Sequence, residues 1–270
     1  MLKKKNDGFD LERILAKLPL TFDLMSKLAR SEFRGDAYLR HDLCGLASES
    51  QILEMAQLEK EMGVSATYFI MPPGAYSSDT DNIFGALSDR NIVVSDRGIE
   101  LALKLLSLGH EVGLHNNAVS LMLEHGLEPQ RLFESFAEAY SASGVPLLGT
   151  ASHGSPICRE KKFNNREIFE GSHRRGWEIG RTIRHGRRKV TLHSVDPLSF
   201  GFKFEAYSLP RTSTLSDSGG RWSGKLSGSR PFLERQPDNE EEIVSELTKT
   251  KENGYTPISI LLHPSHWASS

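Results

Sequence analysis

Three potential metal ligands stand at corresponding places in this chain. Asp42 closes the apolar run Tyr38-Leu39-Arg40-His41-Asp42-Leu43, His115 closes Gly109-His110-Glu111-Val112-Gly113-Leu114-His115, and His153 follows Thr150-Ala151-Ser152. One carboxylate and two imidazoles form a facial set that suits a divalent ion with open positions, zinc or ferrous iron. Such an ion lowers the pKa of a water it binds to about 7. Taken singly, each of the three is an ordinary loop residue in a chain with 10 histidines. Their shared position after separate apolar runs keeps the metal alternative open beside the bland one. His263 follows the apolar run Ile260-Leu261-Leu262 in the same manner. An imidazole there can give a proton near neutral pH, act as a further ligand, or be structural.

These residues need elements to bring them together, and hydrophobic spacing supplies them. Residues 9–30 show helical periodicity, interrupted by Pro19. Strands are expected at 36–43, 65–71, 109–114, 146–151 and 257–262, and helices at 48–62, 95–108, 128–143 and 240–253. Pro129 near the start of its helix costs little, because an N–H there would have no partner. The middle of the chain, 169–228, loses this rhythm and reads as irregular strands and a long loop. Strands alternating with helices favour parallel βαβ units in one domain, with the ligand-bearing ends at the carboxyl edge where α/β folds do chemistry.

Composition narrows the function classes. The chain has 270 residues, 38% hydrophobic and 25% charged, with a formal net charge of −2. Neither nucleic acid nor an anionic membrane is expected as a partner on charge alone. Two cysteines, Cys44 and Cys158, make no disulfide framework, and no apolar stretch reaches the length of a membrane span. The basic start, 1–5, lacks the apolar region of a secretory signal. A cytoplasmic location is the expectation.

Four pieces of the chain resemble the polysaccharide deacetylase superfamily, in a divergent form with Arg-His-Asp at the first motif. They are Arg40-His41-Asp42, the Gly109–His115 stretch, Asp217-Ser218-Gly219-Gly220-Arg221-Trp222, and Leu262-His263-Pro264. Ala66-Thr67-Tyr68-Phe69 is similar to the family's second strand. The resemblance covers about residues 36 to 267 and implies an α/β fold: a distorted (β/α)7 barrel, a single domain over 36–270 preceded by an N-terminal helical extension over 1–35. It implies metal-assisted removal of an N-acetyl group, with zinc as the first choice of ion. Asp42 and His115 match two metal-ligand positions. The family's other histidine falls four residues after the first, where this chain has Val119, and His153 takes its place. His263 matches the histidine that protonates the leaving amine. The family's general base would be the residue before Asp42, which here is His41; either His41 or Asp217 would have to serve. Arg40, Trp222 and Trp267 are the candidate substrate contacts, the two tryptophans either stacking on sugar rings or filling the core. The implied partners are an N-acetylated sugar, a nucleotide-sugar or a lipid-linked glycan.

One further feature stands apart. Arg174, Arg175, Arg181, Arg184, Arg187, Arg188 and Lys189 concentrate positive charge between His173 and Lys189. They either grip phosphate, as guanidinium forks do, or form a solvated loop that pairs with the acidic stretch at 239–242.

Overall fold

The computed structural model describes residues 2–4, 8–44, 47–74, 82–88, 91–172, 180–226 and 231–269. Strand β1 (Leu2–Lys4) is followed by helices α1 (Leu11–Lys17) and α2 (Met25–Ala29). Asp10 starts α1 by accepting from the amides of Glu12 and Arg13, and Leu18, extended before Pro19, stops it. Next come β2 (Ala37–Leu43), α3 (Glu49–Glu61) and β3 (Ala66–Ile70). A reciprocal capping box between Ser48 and Gln51 sets the start of α3. The hairpin β4 (Gly85–Ser88) and β5 (Asn91–Val94) precedes α4 (Asp96–Ser107), β6 (Glu111–Asn116), α5 (Ala118–His125) and α6 (Pro129–Ala142). Then follow β7 (Leu147–Ser152), α7 (Pro156–Lys161), the hairpin β8 (Thr182–His185) and β9 (Arg188–Thr191), and the short β10 (Phe204–Glu205). The chain closes with β11 (Ser213–Ser216), β12 (Ser223–Leu226), α8 (Glu240–Glu252), β13 (Ile258–Leu262) and β14 (Trp267–Ser269).

The long periodic segments form the expected elements within a few residues. Helix α5 escapes the periodicity because Ala118, Val119, Ser120, Leu121 and Leu123 are all buried, so no polar stripe marks it. Within 169–228, expected as irregular strands and a long loop, residues 213–216 and 223–226 form β11 and β12, and Ser227 and Gly228 lie outside the described residues.

The chain divides into two compact units, the first Met1–Tyr68, Lys104–Glu111 and Leu209–Ser270, the second Phe69–Leu103 and Val112–Ser208. In the first unit β13 lies between two parallel neighbours. It pairs with β2 from Ile258↔Ala37 to Leu262↔His41, and with β11 from Ser213↔Ile258 to Ser216↔Leu261. Strand β12 then pairs antiparallel with β11. Every residue of β2 and β13 is buried, as in parallel strands covered on both faces. Residues 1–35 do not stand apart from this unit. Strand β1 pairs with β14, Phe22 bridges to Ala37, and Leu11, Ile14 and Leu15 of α1 are buried.

In the second unit β7 pairs in parallel with β6 on one side and β10 on the other. The register slips between Val112 and Leu114 and then resumes with His115 opposite Ala151. Two glycines allow close packing here. A Cβ on Gly113 would lie 2.6 Å from the Gly149 carbonyl oxygen and 2.6 Å from the Phe69 ring, and one on Gly149 would lie 2.3 Å from the Phe204 ring. The molecule is therefore mixed α/β, with parallel strands followed by helices. Antiparallel β12 departs from a uniform βα repeat, and a seven-fold barrel is not established by these pairings.

Candidate functional site

In the first unit, the parallel register delivers Asp217 and His263 to the same strand edge. Asp217 follows Ser216, which pairs with Leu261, and His263 follows Leu262. Asp217 has no exposed surface. Its Oδ1 accepts from His263 Nδ1 at 2.7 Å and its Oδ2 from the indole Nε1 of Trp267 at 3.2 Å, while the His263 amide lies 3.1 and 3.2 Å from the two oxygens. His266 Nδ1 stands 3.3 Å from Oδ2. Burial alone would raise the Asp217 pKa, but the hydrogen bonds of His263 and His266, and then their charges, outweigh it and bring the carboxyl to about 2. Burial likewise opposes charge on His263. The Asp217 hydrogen bond, then Cys44, then the charges of Asp217 and Asp42 reverse this and raise the imidazole to about 10. At neutral pH the pair is carboxylate and imidazolium, and Asp217 holds Nδ1 so that Nε2 is the nitrogen able to give a proton. One ligand atom from each of Asp217, His263 and His266 lies within 4.8 Å of the others, so this group also has the composition of a metal site.

Asp42 ends β2 on the same edge, and its side chain shares a face with Arg40, two residues earlier. Arg40 Nη2 lies 3.3 Å from Asp42 Oδ2, and both side chains are buried. Arg40 thus holds the carboxylate of its own strand.

His41 points to the other face of β2, and the sequence expectation for it gives way here. Its Nε2 lies 2.6 Å from Glu59 Oε1 on α3, and neither side chain has exposed surface. Glu59 Oε2 accepts from the Tyr68 hydroxyl at 2.8 Å, and burial followed by the Glu59 charge pushes the phenol well above its usual range. Nearby, His110 Nδ1 accepts from the Ala66 amide at 3.1 Å and Nε2 donates to the Ala56 carbonyl at 2.9 Å. Burial foremost lowers its pKa, and a neutral ring fits both bonds. The 3.8 Å approach of Glu59 to the same Nδ1 is therefore not an ion pair. Glu111 ties elements together, with Oε1 accepting from Ser26 N at 3.1 Å and Thr67 Oγ1 at 2.6 Å. The sequence patterns His41, His110 and Glu111 as motif residues, yet all three are held in buried hydrogen bonds. Glu59, the acceptor that claims His41, carries no motif signal.

Trp222 and Trp267 also change role. They are 3% and 0% exposed, Trp222 stacks on Phe9 at 6.1 Å, and the two indoles meet edge to face at 6.2 Å. Of the two alternatives, core filling is the one their burial supports, and neither offers a face to a sugar ring.

In the second unit, His115 and His153 come together. His115 Nδ1 donates to the Ala151 carbonyl at 3.0 Å, which leaves the Nε2 lone pair directed at His153 Nδ1, 3.3 Å away. Zinc–imidazole bonds of about 2.0–2.1 Å in a tetrahedron set neighbouring nitrogens ~3.3–3.4 Å apart. A histidine ligand normally gives its other N–H to a carbonyl or carboxylate, as His115 does. These two imidazoles therefore fit a divalent ion. Val119, the position of the family's usual second histidine, is instead buried in α5. Asp42 belongs to the first unit, and His115 and His153 to the second.

The basic stretch is partly structural. Arg188 donates to the Leu123 carbonyl at 3.2 Å and to that of Glu124, covering the end of α5, and Arg181 donates to the Lys162 carbonyl at 2.7 Å. His173, Arg174 and Arg175 lie outside the described residues. The acidic stretch finds partners in its own unit: Glu241 pairs with Lys17, Glu242 with Arg235, and Glu240 accepts from the Asp10 amide. Among the described residues no helix is long and apolar enough to cross a membrane. No protein-family model, curated protein or solved structure matches the chain.

Proposed function

We propose that this protein is a metal-dependent hydrolase, a divergent polysaccharide deacetylase with that superfamily's distorted (β/α)7 barrel. Its substrate would be an N-acetylated sugar, presented as a nucleotide-sugar or lipid-linked glycan precursor in the cytoplasm. The observation that carries this reading is the His263–Asp217 pair, in which a buried carboxylate 2.7 Å from Nδ1 keeps an imidazole charged at the end of a parallel strand. Amide cleavage needs a proton donor for the departing amine, and His263, with 12% of its side chain exposed, retains access.

His115 and His153 would hold the ion, with zinc the first choice, and the sequence motif offers Asp42 as the carboxylate. Such an ion, when bound, polarises an acyl oxygen and acidifies a water. As the oxygen of water bonds to the acyl carbon and the C–N bond breaks, His263 gives its Nε2 proton to the departing amine. The acetyl group leaves as acetate and the water's protons pass to solvent. Asp217 stabilises the charged ring beforehand and orients it. No residue is assigned as general base. His41, buried with its Nε2 bonded to Glu59, and Asp217, engaged by His263 and Trp267, are assigned structural and positioning roles instead.

The missing base favours a second reading, a metal-retaining carbohydrate-binding protein without turnover. Acetate release from N-acetylated sugars and their nucleotide-linked forms, measured with zinc-loaded protein and with His263→Gln, separates the two. Release that falls about 10²–10⁴-fold in the variant supports hydrolysis with His263 as acid. Sugar binding without release supports the second reading. Failure to take up zinc or any related ion sinks both.

A further inference from the structure

The second unit contains a buried amide that the function above does not use. Asn165 has no exposed surface, and its side-chain amide and backbone carbonyl are committed. Its Nδ2 donates to the His153 carbonyl at 2.9 Å and to Ser120 Oγ at 3.1 Å, with Cys158 Sγ a longer 3.4 Å away. Its Oδ1 accepts from the Ser120 amide at 3.0 Å, and its backbone carbonyl accepts from Asn116 Nδ2 at 3.0 Å. Asn116 directly follows His115, and its own carbonyl accepts from the His153 amide at 2.8 Å. Both ends of the His153 residue are thus fixed: its N–H by the residue after His115, its C=O by Asn165.

Asn165 is itself held in place. It opens a 3₁₀ turn, Asn165–Ile168, whose cap is reciprocal. Asn164 Oδ1 accepts from Arg166 N at 3.1 Å, and Glu167 Oε2 accepts from Asn164 N at 2.6 Å. The turn therefore joins two strand ends through one residue, the Asn165 side-chain amide holding the His153 carbonyl after β7 and its backbone carbonyl holding Asn116 at the end of β6. Hydrogen bonds to a ligand's ring set its orientation, and their loss commonly weakens metal binding about 10–100-fold; Asn165 acts on the same geometry through the His153 backbone.

We infer that Asn165 is a positioning residue that sets the spacing of the His115 and His153 imidazoles by clamping the His153 backbone to the strand end that carries His115. The inference rests on reading that pair as the metal-holding one. Asn165→Asp keeps an acceptor for the Ser120 amide but removes the donor to His153. Phe136→Leu, in the core of the same unit, is the comparison for a general loss of stability. Metal-free protein is read first, by the ring–ring nuclear Overhauser contact between His115 and His153 and by their imidazole ¹⁵N shifts. Zinc chloride titration is read second.

The expected result for Asn165→Asp is loss of the ring–ring contact, displaced His153 shifts and zinc binding weaker by about 10–100-fold. Phe136→Leu should keep all three near wild type. If Asn165→Asp does not fold, Asn165→Ser removes the amide without adding charge and is judged by the same criteria. Unchanged ring contact and shifts in a folded Asn165 variant overturn the inference. Wild-type protein that takes no zinc defeats the metal reading alone, because the metal-free ring geometry still decides whether Asn165 positions the pair.

Discussion

His263 and Asp217 are joined at 2.7 Å, and the carboxylate has no exposed surface while the imidazole keeps a little. Burial opposes charge on both groups, and their mutual hydrogen bond and attraction overcome it. The consequence for stability has a definite sign. The His263 pKa rises from 6.5 unfolded to about 10 folded, so the native state holds more protons than the unfolded chain across that window. Its stabilisation is complete below the unfolded value and is lost as pH rises through the folded one. Urea midpoints should therefore fall between about pH 6.5 and 10, and His263→Gln should flatten that slope.

Asp217 acts at the opposite end of the scale. Its folded pKa of about 2 lies below the ordinary 3.8, so its contribution is present above 3.8 and disappears as pH falls through about 2. Asp217→Asn should leave His263 buried without its counter-charge, a change that costs about 3–5 kcal/mol. Denaturant titration near neutral pH measures it. A loss under 1 kcal/mol, about the value of an exposed pair, would show that the two side chains are not coupled as described.

His41 should behave as a structural residue. Its 2.6 Å bond to Glu59 lies in a region without exposed surface, and Tyr68 shares the same carboxylate. Replacing His41 with Ala leaves a buried Glu59 oxygen without its partner and should destabilise the fold by about 1–3 kcal/mol. Any hydrolytic turnover per folded molecule should change far less than in His263→Gln. A stable His41→Ala protein with abolished turnover would restore His41 as a base.

Zinc uptake separates ligands from bystanders. Partners behind a ligand contribute about 10–100-fold in affinity, and a direct ligand contributes at least as much. His115→Ala and His153→Ala should each lose zinc by that measure in competitive chelator titrations, and Asp42→Asn tests the carboxylate that the sequence motif supplies. Wild-type affinity in either histidine variant would remove that residue from the set.

The glycines of β6 and β7 are a packing requirement. A Cβ at Gly149 would sit 2.3 Å from the Phe204 ring, so Gly149→Ala should destabilise the protein by about 1–3 kcal/mol through overpacking. Shortening the ring with Phe204→Leu in the same molecule should recover part of that loss, as thermal unfolding of the double variant would reveal. Independent, additive effects would contradict the contact.

Sequence alone determined much of the local structure. Apolar spacing, Pro129 and the break at Pro19 mark elements through interactions within a few residues, and such interactions are written in the chain. The strand ends bearing Asp42, His115, His153 and His263 were legible for the same reason. What the side chains do there was not. A strand places alternate residues on opposite faces, so His41 and Asp42, adjacent in sequence, meet different partners: Glu59 for one and Arg40 for the other. Asp217 lies 46 residues from His263, and only the parallel pairing of β11 with β13 makes them one acid pair. Trp222 and Trp267 have the chemistry of sugar-stacking residues, but packing against Phe9 and each other buries them. Asn165 carries no motif at all, because its role comes from backbone carbonyls and amides that any sequence possesses. Residue type sets which chemistry is available, while burial, strand face and long-range pairing decide which of those groups can carry it out.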